Sequence, residues 1–303
     1  VTAWTLVAVG VAAPPLRRRL RLPPAAVLGL AGLAPLGARV AMPRRPARDV
    51  AICALNMWAY LAAYEMPHDD PERLAARVKV DYPLAIDRAL GLGTIPTLRL
   101  QNAFSTAGRI NRFERVLVGC HWIWFAVPHT SLAYILWRHR DRFPRGAARM
   151  YAVFDIGAVF YWSIPTAPPW WAAARGRLRN DELRAVRRMM IEYGSEFWGD
   201  LWDPLFKLLG GNPLAAMPSL HFATSLMGAH LLSEAGPVTG AVGWTYAIML
   251  GLALVYLGEH YLIDLIAGAA LTEAVRVATP TMAGLLQRAT PLLEAIDARA
   301  QKA

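Results

Sequence analysis

Lysine is nearly missing from this sequence. Of its 32 basic residues only Lys79, Lys207 and Lys302 are lysines, and the remainder are arginines. Charge is also scarce: 18% of the 303 residues are charged, against about 25% in an ordinary soluble domain. Cysteine is limited to Cys53 and Cys120, both inside apolar blocks, with no C-x-x-C pair and no mixed Cys/His cluster. That removes support for a zinc site or a disulfide framework and leaves packing as the role of both thiols. A 55% apolar content with a mean hydropathy of +0.29 excludes an intrinsically disordered chain.

What is present is apolar sequence in long blocks, at about 2–15, 24–40, 50–66, 115–137, 149–165, 218–233, 241–258 and 261–280. Blocks of about 17–25 apolar residues match the thickness of a bilayer, so the expected fold is all-α, a polytopic bundle of membrane helices. The first block is short and broken by Pro14 and Pro15, and the second contains Pro35. A signal peptide is disfavoured for the first, because RRRLRLPP follows it rather than a small-residue cleavage site. The last six blocks are the better spans, with Trp122, Trp124, Trp137, Tyr161 and Trp162 near their ends. The expected organisation is N-terminal membrane segments over 1–47, a membrane catalytic domain over 48–280 and a tail over 281–303.

The net charge of +10 is compatible with nucleic-acid binding. Its arginines, however, sit between apolar blocks rather than along one polar helix or strand. Anchoring at anionic headgroups accounts for them better, beside an arginine-rich coding bias, and no nucleic-acid partner is expected. Two polar stretches are long, 67–114 and 166–217. The first carries an amphipathic piece at DYPLAIDRALGLG. The middle of the second reads as helix, with Leu183, Val186 and Met190 on its apolar side. Ordered loops of this length are uncommon and tend to be functional. If the six better blocks all span, both stretches emerge on one side and form a cap. The short basic loops MPRRPARD and RHRDRFPRGAAR fall on the other side, which the positive-inside rule makes cytoplasmic. The cap then faces out of the cytoplasm, and the expected location is a bacterial plasma membrane.

Of seven histidines, two have special surroundings. His260 lies in YLGEHYLIDLIAGA with Asp264 four residues on. On a helix these share a face, so the carboxylate can hold one ring nitrogen and leave the other as an oriented nucleophile or base. His221 lies in GNPLAAMPSLHFATS. Pro218 suits the first position of a helix. The N–H groups of Ser219, Leu220 and His221 then form an open first turn that binds phosphate, with the Ser219 hydroxyl beside them. His221 is placed to give a proton to a leaving oxygen. The helix from 218 runs away from the cap and the next block returns, so both histidines reach one face. The other five histidines read as packing residues.

P-S-L-H followed by H-Y-x-x-D resembles the type 2 phosphatidic acid phosphatase superfamily. The likeness is closest to the branch holding inositol phosphorylceramide synthase, the aureobasidin-resistance protein, where P-S-L-H replaces P-S-G-H. YWSIPTAPPWW is similar to that branch's Y-x-x-x-P-x-A-P-P element and brings in Tyr161. The resemblance covers about 115–280 well and DYPLAIDRALGLGTIPTLRLQ more loosely. It implies a six-helix membrane core with one or two further N-terminal helices and a partly helical cap. It also implies His260 as a nucleophile forming phosphohistidine, Asp264 orienting it, His221 protonating the leaving group, and Ser219 with its backbone neighbours Pro218 and Leu220 holding phosphate oxygens. No metal and no other cofactor is implied. The phosphatases' K-x6-R-P element has no counterpart here, and Ala253 and Leu254 occupy the positions of their S-R pair. Another cation should substitute, because charge stabilisation carries phosphoryl transfer. Arg175, Arg177, Lys207 and Arg112 are the candidates. Glu259 beside His260 is unusual next to a phosphodianion.

Three functions compete. One is a lipid phosphotransferase moving a phospho-headgroup onto a polyol such as inositol, or onto a lipid hydroxyl. The second is a lipid phosphatase acting on a membrane phospholipid or polyprenyl phosphate with water as acceptor. The third, a transporter or scaffold, fits intramembrane ionisable residues but lacks an inverted repeat or paired broken helices.

Overall fold

The computed structural model describes residues 2–106, 108–178, 186–209 and 211–300, with side chains throughout except at 2, 207–209 and 282–300. Among these residues every regular element is helical, and extended chain pairs only through isolated bridges. The chain divides into two compact units, 1–69 with 274–303, and 70–273.

In the first unit α1 (Thr2–Leu16), α2 (Pro24–Ala41) and α3 (Pro46–Glu65) pack in sequence. Small residues set the α1–α2 contact: a Cβ on Gly10 would lie 2.7 Å from the Ala34 Cβ. Helix α1 runs through Pro14 and Pro15, which fall in its last turn. Arg17 and Arg18, expected at lipid headgroups, converge on Asp69, with Arg17 Nε 2.6 Å from its carboxylate.

The second unit opens with the cap helices α4 (Pro71–Arg77), α5 (Asp81–Leu90) and α6 (Pro96–Phe104). Asp70 caps α4 by accepting from the Arg73 N–H. Then come α7 (Arg112–Trp122), α8 (Ala126–Arg138) and α9 (Phe143–Ser163). The block 115–137, expected as one span, is two helices bent by 57°. Asn111 and Glu114 form a capping box that starts α7. The indole of Trp124, in the break, reaches across to the Thr224 hydroxyl at 3.0 Å. The second polar stretch holds α10 (Pro169–Ala174), α11 (Met189–Trp198) and α12 (Trp202–Leu209). The helix expected around Leu183, Val186 and Met190 begins only at Met189; Val186 precedes it, and Leu183 lies outside the described residues.

Helices α13 (Leu220–Ala235), α14 (Pro237–Tyr256) and α15 (Leu262–Ala300) follow. Helix α13 packs against α8, α9 and α14. Among the described residues α2 and α14 are long and apolar enough to cross a membrane, and bent α7–α8 would be a third. Sixteen-residue α13 is about 24 Å long, short of a hydrocarbon core of about 30 Å. Its C-terminal end is pinned by Glu234, which accepts from Arg145 and Arg149 at 2.9 and 2.8 Å. Its N-terminal end faces the cap.

Three pieces of polar chain are laced at that end around the buried Thr166. Lys79 N–H donates to Pro165 O at 2.8 Å and Ala167 N–H to Lys79 O at 3.0 Å. Thr166 N–H donates to Leu214 O at 2.9 Å, and Ala216 N–H to Thr166 O at 3.1 Å. The proline-rich element thereby fixes the chain immediately before Pro218.

Candidate active site

The α13 start differs in register from the expectation. Ser219, not a residue before Pro218, is the N-cap, and its hydroxyl accepts from the Phe222 N–H at 3.3 Å. Pro218 therefore precedes the helix rather than opening it. The Ser219 N–H is also engaged, donating to Asp264 O at 3.0 Å. The first two N–H groups of the helix, on Leu220 and His221, have no intrahelical acceptor and remain directed out of its positive end. The Leu220 side chain is buried against Gly157, where an added Cβ would sit 2.4 Å from it, so only its backbone can serve a ligand.

Tyr161 is buried, and its hydroxyl donates to Pro218 O at 2.9 Å. It thus braces the loop instead of presenting its hydroxyl to substrate. Helix α15 comes equally close from the other side: a Cβ on Gly268 would lie 2.6 Å from Ser219 O. The Thr272 hydroxyl adds a bond to Ala223 O at 2.9 Å.

The turn from α14 to α15 carries the second motif. Gly258 takes a left-handed φ of 76°, and the Glu259 and His260 N–H groups both fold back to Leu254 O at 3.0 and 3.1 Å. His260 is buried beside Asp264, which is fully buried. His260 Nδ1 lies 3.3 Å from Asp264 Oδ2, and the same oxygen accepts from the Tyr261 N–H at 2.9 Å. His260 Nε2 lies 3.2 Å from His221 Nδ1. A carboxylate on Nδ1 fixes a proton there, so Nε2 carries the lone pair and accepts from His221. The two motifs predicted to share a face are brought into direct hydrogen-bonded contact. Asp264 Oδ1 is buried without a partner.

Two further groups stand at the site without having been singled out from sequence. The His121 ring, on α7, lies 4.9 Å from the His221 ring between centroids, and Trp124 packs 4.0 Å from His221 on the same basis. Arg188 lies over the Trp170 ring at 3.7 Å. Trp170 donates its backbone N–H to Gly258 O at 3.2 Å, and its side chain hydrogen-bonds the Glu259 carboxylate. Burial pushes the Glu259 carboxyl up, against the opposing pull of the Arg188 charge. Glu259 is thereby engaged with the cap. A lone histidine in an apolar helix, and one arginine among 29, carried no local signal.

Two of the four candidate cations, Arg175 and Arg177, have partners within the cap. Arg175 stacks on Trp171 at 3.6 Å, and Arg177 donates to both oxygens of Asp81 at 2.7 and 2.9 Å. They line an open groove of about 410 Å³ with Ala75, Val78 and Val80. Neither has a hydrogen bond to the histidine pair. Arg112 is the first residue of α7. The Lys207 side chain lies outside the described residues. Among the described residues no three His, Cys, Asp or Glu side chains converge as metal ligands.

The sequence pattern of the PAP2 superfamily matches residues 84–278, from within α5 into α15, and includes both histidine motifs. No curated protein and no solved structure matches the chain.

Proposed function

Because the chain belongs to the PAP2 superfamily, we propose that it is an integral membrane lipid phosphotransferase that works through a phosphohistidine on His260. The observation that carries this reading is the Asp264–His260–His221 chain of hydrogen bonds, at 3.3 and 3.2 Å. Asp264 holds the Nδ1–H and leaves the Nε2 lone pair free to attack phosphorus. The phosphoryl group enters between the two rings and displaces their mutual hydrogen bond. As the N–P bond forms and the P–O bond breaks, the leaving oxygen takes a proton from protonated His221. In the second half an acceptor hydroxyl gives its proton to His221 and attacks phosphorus, breaking the N–P bond and restoring His260. The Leu220 and His221 N–H groups lie at the positive end of α13, where the phosphoryl oxygens gather charge. No metal takes part in these steps.

The acceptor divides the two chemical readings. P-S-L-H and the loss of the phosphatases' S-R pair favour a hydroxyl of inositol or of a lipid over water. The site lies at the end of α9 opposite the arginine-rich loop before it, which supports an extracytoplasmic site by the positive-inside rule. The test is incubation of the purified protein in detergent with labelled phosphatidate, polyprenyl phosphate and phosphodiester lipids, with and without inositol or glycerol. Labelled new lipid is expected. Inorganic phosphate alone would leave a phosphatase, and neither product would leave a transporter or scaffold. His260→Ala should abolish turnover, and EDTA should leave it unchanged.

A further inference from the structure

The donors at the start of α15 are all occupied, and two of them by a residue far away in sequence. Asp87, on cap helix α5, is fully buried. Its two carboxylate oxygens accept from the N–H groups of Ile263 and Leu262 at 2.9 Å each, across 176 and 175 residues. The Tyr261 N–H goes to Asp264 Oδ2 at 2.9 Å, and the Asp264 N–H to Tyr261 O at 3.1 Å. A helix start that exposes N–H groups is the usual phosphate cradle. Of the two motif helices, that role is closed at α15 and left to α13.

The same helix α5 reaches the other motif. The Tyr82 hydroxyl bonds the Thr166 hydroxyl at 3.2 Å and donates to Met217 Sδ at 3.1 Å, one residue before Pro218. Apolar packing seats α5 between them: Leu84 clusters with Ile95, Leu98, Leu178, Val186 and Tyr261, the neighbour of His260. One short helix is therefore fastened to both catalytic segments.

We propose that Asp87 is a positioning residue for phosphoryl transfer, holding the first turn of α15 so that His260 Nδ1 meets Asp264 and Nε2 meets the incoming phosphoryl group. It touches no substrate and acts through His260. The proposal rests on the phosphohistidine reading for its catalytic consequence, but its structural half stands independently. Two peptide units separate the anchored Leu262 N–H from the Cα that carries the His260 side chain. Loosening that anchor frees the turn, and a displacement of about 1 Å in a reacting group costs about 100-fold in rate.

Asp87→Asn is the main variant, because it keeps the volume and one acceptor. Asp87→Ala is the second, removing both. Two measurements are made on the full-length protein in detergent. The first is histidine side-chain ¹⁵N–¹H spectroscopy of the resting protein, with resonances assigned by His260→Ala and His230→Ala. Asp87→Asn should move the His260 signals and leave those of His230, on the far part of α13, in place. The second is turnover of phosphatidate in mixed micelles. The expected result is a fall in kcat of about 10- to 100-fold, larger for Ala than Asn, with KM within about twofold. Unmoved His260 signals in a folded Asp87→Ala variant overturn the proposal. So does a raised KM with unchanged kcat. If His260 signals move but His260→Ala keeps full turnover, the brace stands and the phosphohistidine reading falls.

Discussion

Replacing Asp264 by asparagine tests the proposed nucleophilic role of His260 with a magnitude the geometry supplies. In a Ser-His-Asp triad the same exchange costs about 10⁴ in kcat, because the amide turns the imidazole into the wrong tautomer. The surroundings of Asp264 predict a smaller loss. Its Oδ2 is held by two donors, His260 Nδ1 and the Tyr261 N–H, whereas Oδ1 has no partner. An asparagine keeps both bonds by placing its oxygen at the Oδ2 position and its NH₂ where Oδ1 stood. The Tyr261 N–H opposes the reverse orientation, and the His260 tautomer is preserved. What is lost is the negative charge facing an imidazole that becomes positive as the N–P bond forms. A charge-assisted hydrogen bond is worth about 1.5–3 kcal/mol, or about 10- to 150-fold in rate. Rapid-quench measurement of phosphohistidine formation, with thermal unfolding as a control for folding, reads this directly. A loss near 10⁴ would refute the two-donor argument, and a loss under about threefold would remove Asp264 from the mechanism.

Two other expectations follow from close packing and from burial. Gly268→Ala drives a Cβ to within 2.6 Å of Ser219 O, so backbone must move; the expected cost is about 1–3 kcal/mol of stability by denaturant unfolding, with turnover lowered as well, and an unchanged midpoint would refute the contact. Burial pushes the Asp87 carboxyl up from 3.8 to about 6, outweighing its two N–H donors, with nearby Asp264 adding to the rise. A carboxyl raised in the folded state contributes stability that is fully present below its unfolded value and lost as pH rises through about 6. The difference in melting temperature between the protein and its Asp87→Asn variant should therefore shift in the variant's favour between pH 4 and pH 7, and a difference flat with pH would contradict the assignment.

The helical class and the two histidine motifs were legible because both rest on local spacing: apolar runs of bilayer length, and His260 four residues from Asp264. The bend between α7 and α8 was hidden because apolarity continues through Ile123, Trp124 and Phe125 while the chain changes direction. Arg177 reads as a free cation until the fold brings Asp81 to it. Ser219 reads as an open donor until Asp264 O takes its N–H. Asp87 and His121 had no local signal at all, since their partners arrive from helices distant in sequence. Local pattern thus located the two histidine motifs, and the long-range contacts that hold them appeared only with tertiary structure.

The hydrogen bond between His260 Nε2 and His221 Nδ1 at 3.2 Å has a bearing on the idle enzyme. A histidine tuned for attack is also a target for any stray electrophile in its surroundings. With no substrate between the rings, the lone pair of His260 is covered by its own partner's proton, and the ring is buried. On the proposed mechanism the site is therefore self-shielding: a ligand that engages the α13 end has to part the two imidazoles before His260 can attack. Small acylating reagents should consequently modify the exposed His68 well before the buried His260.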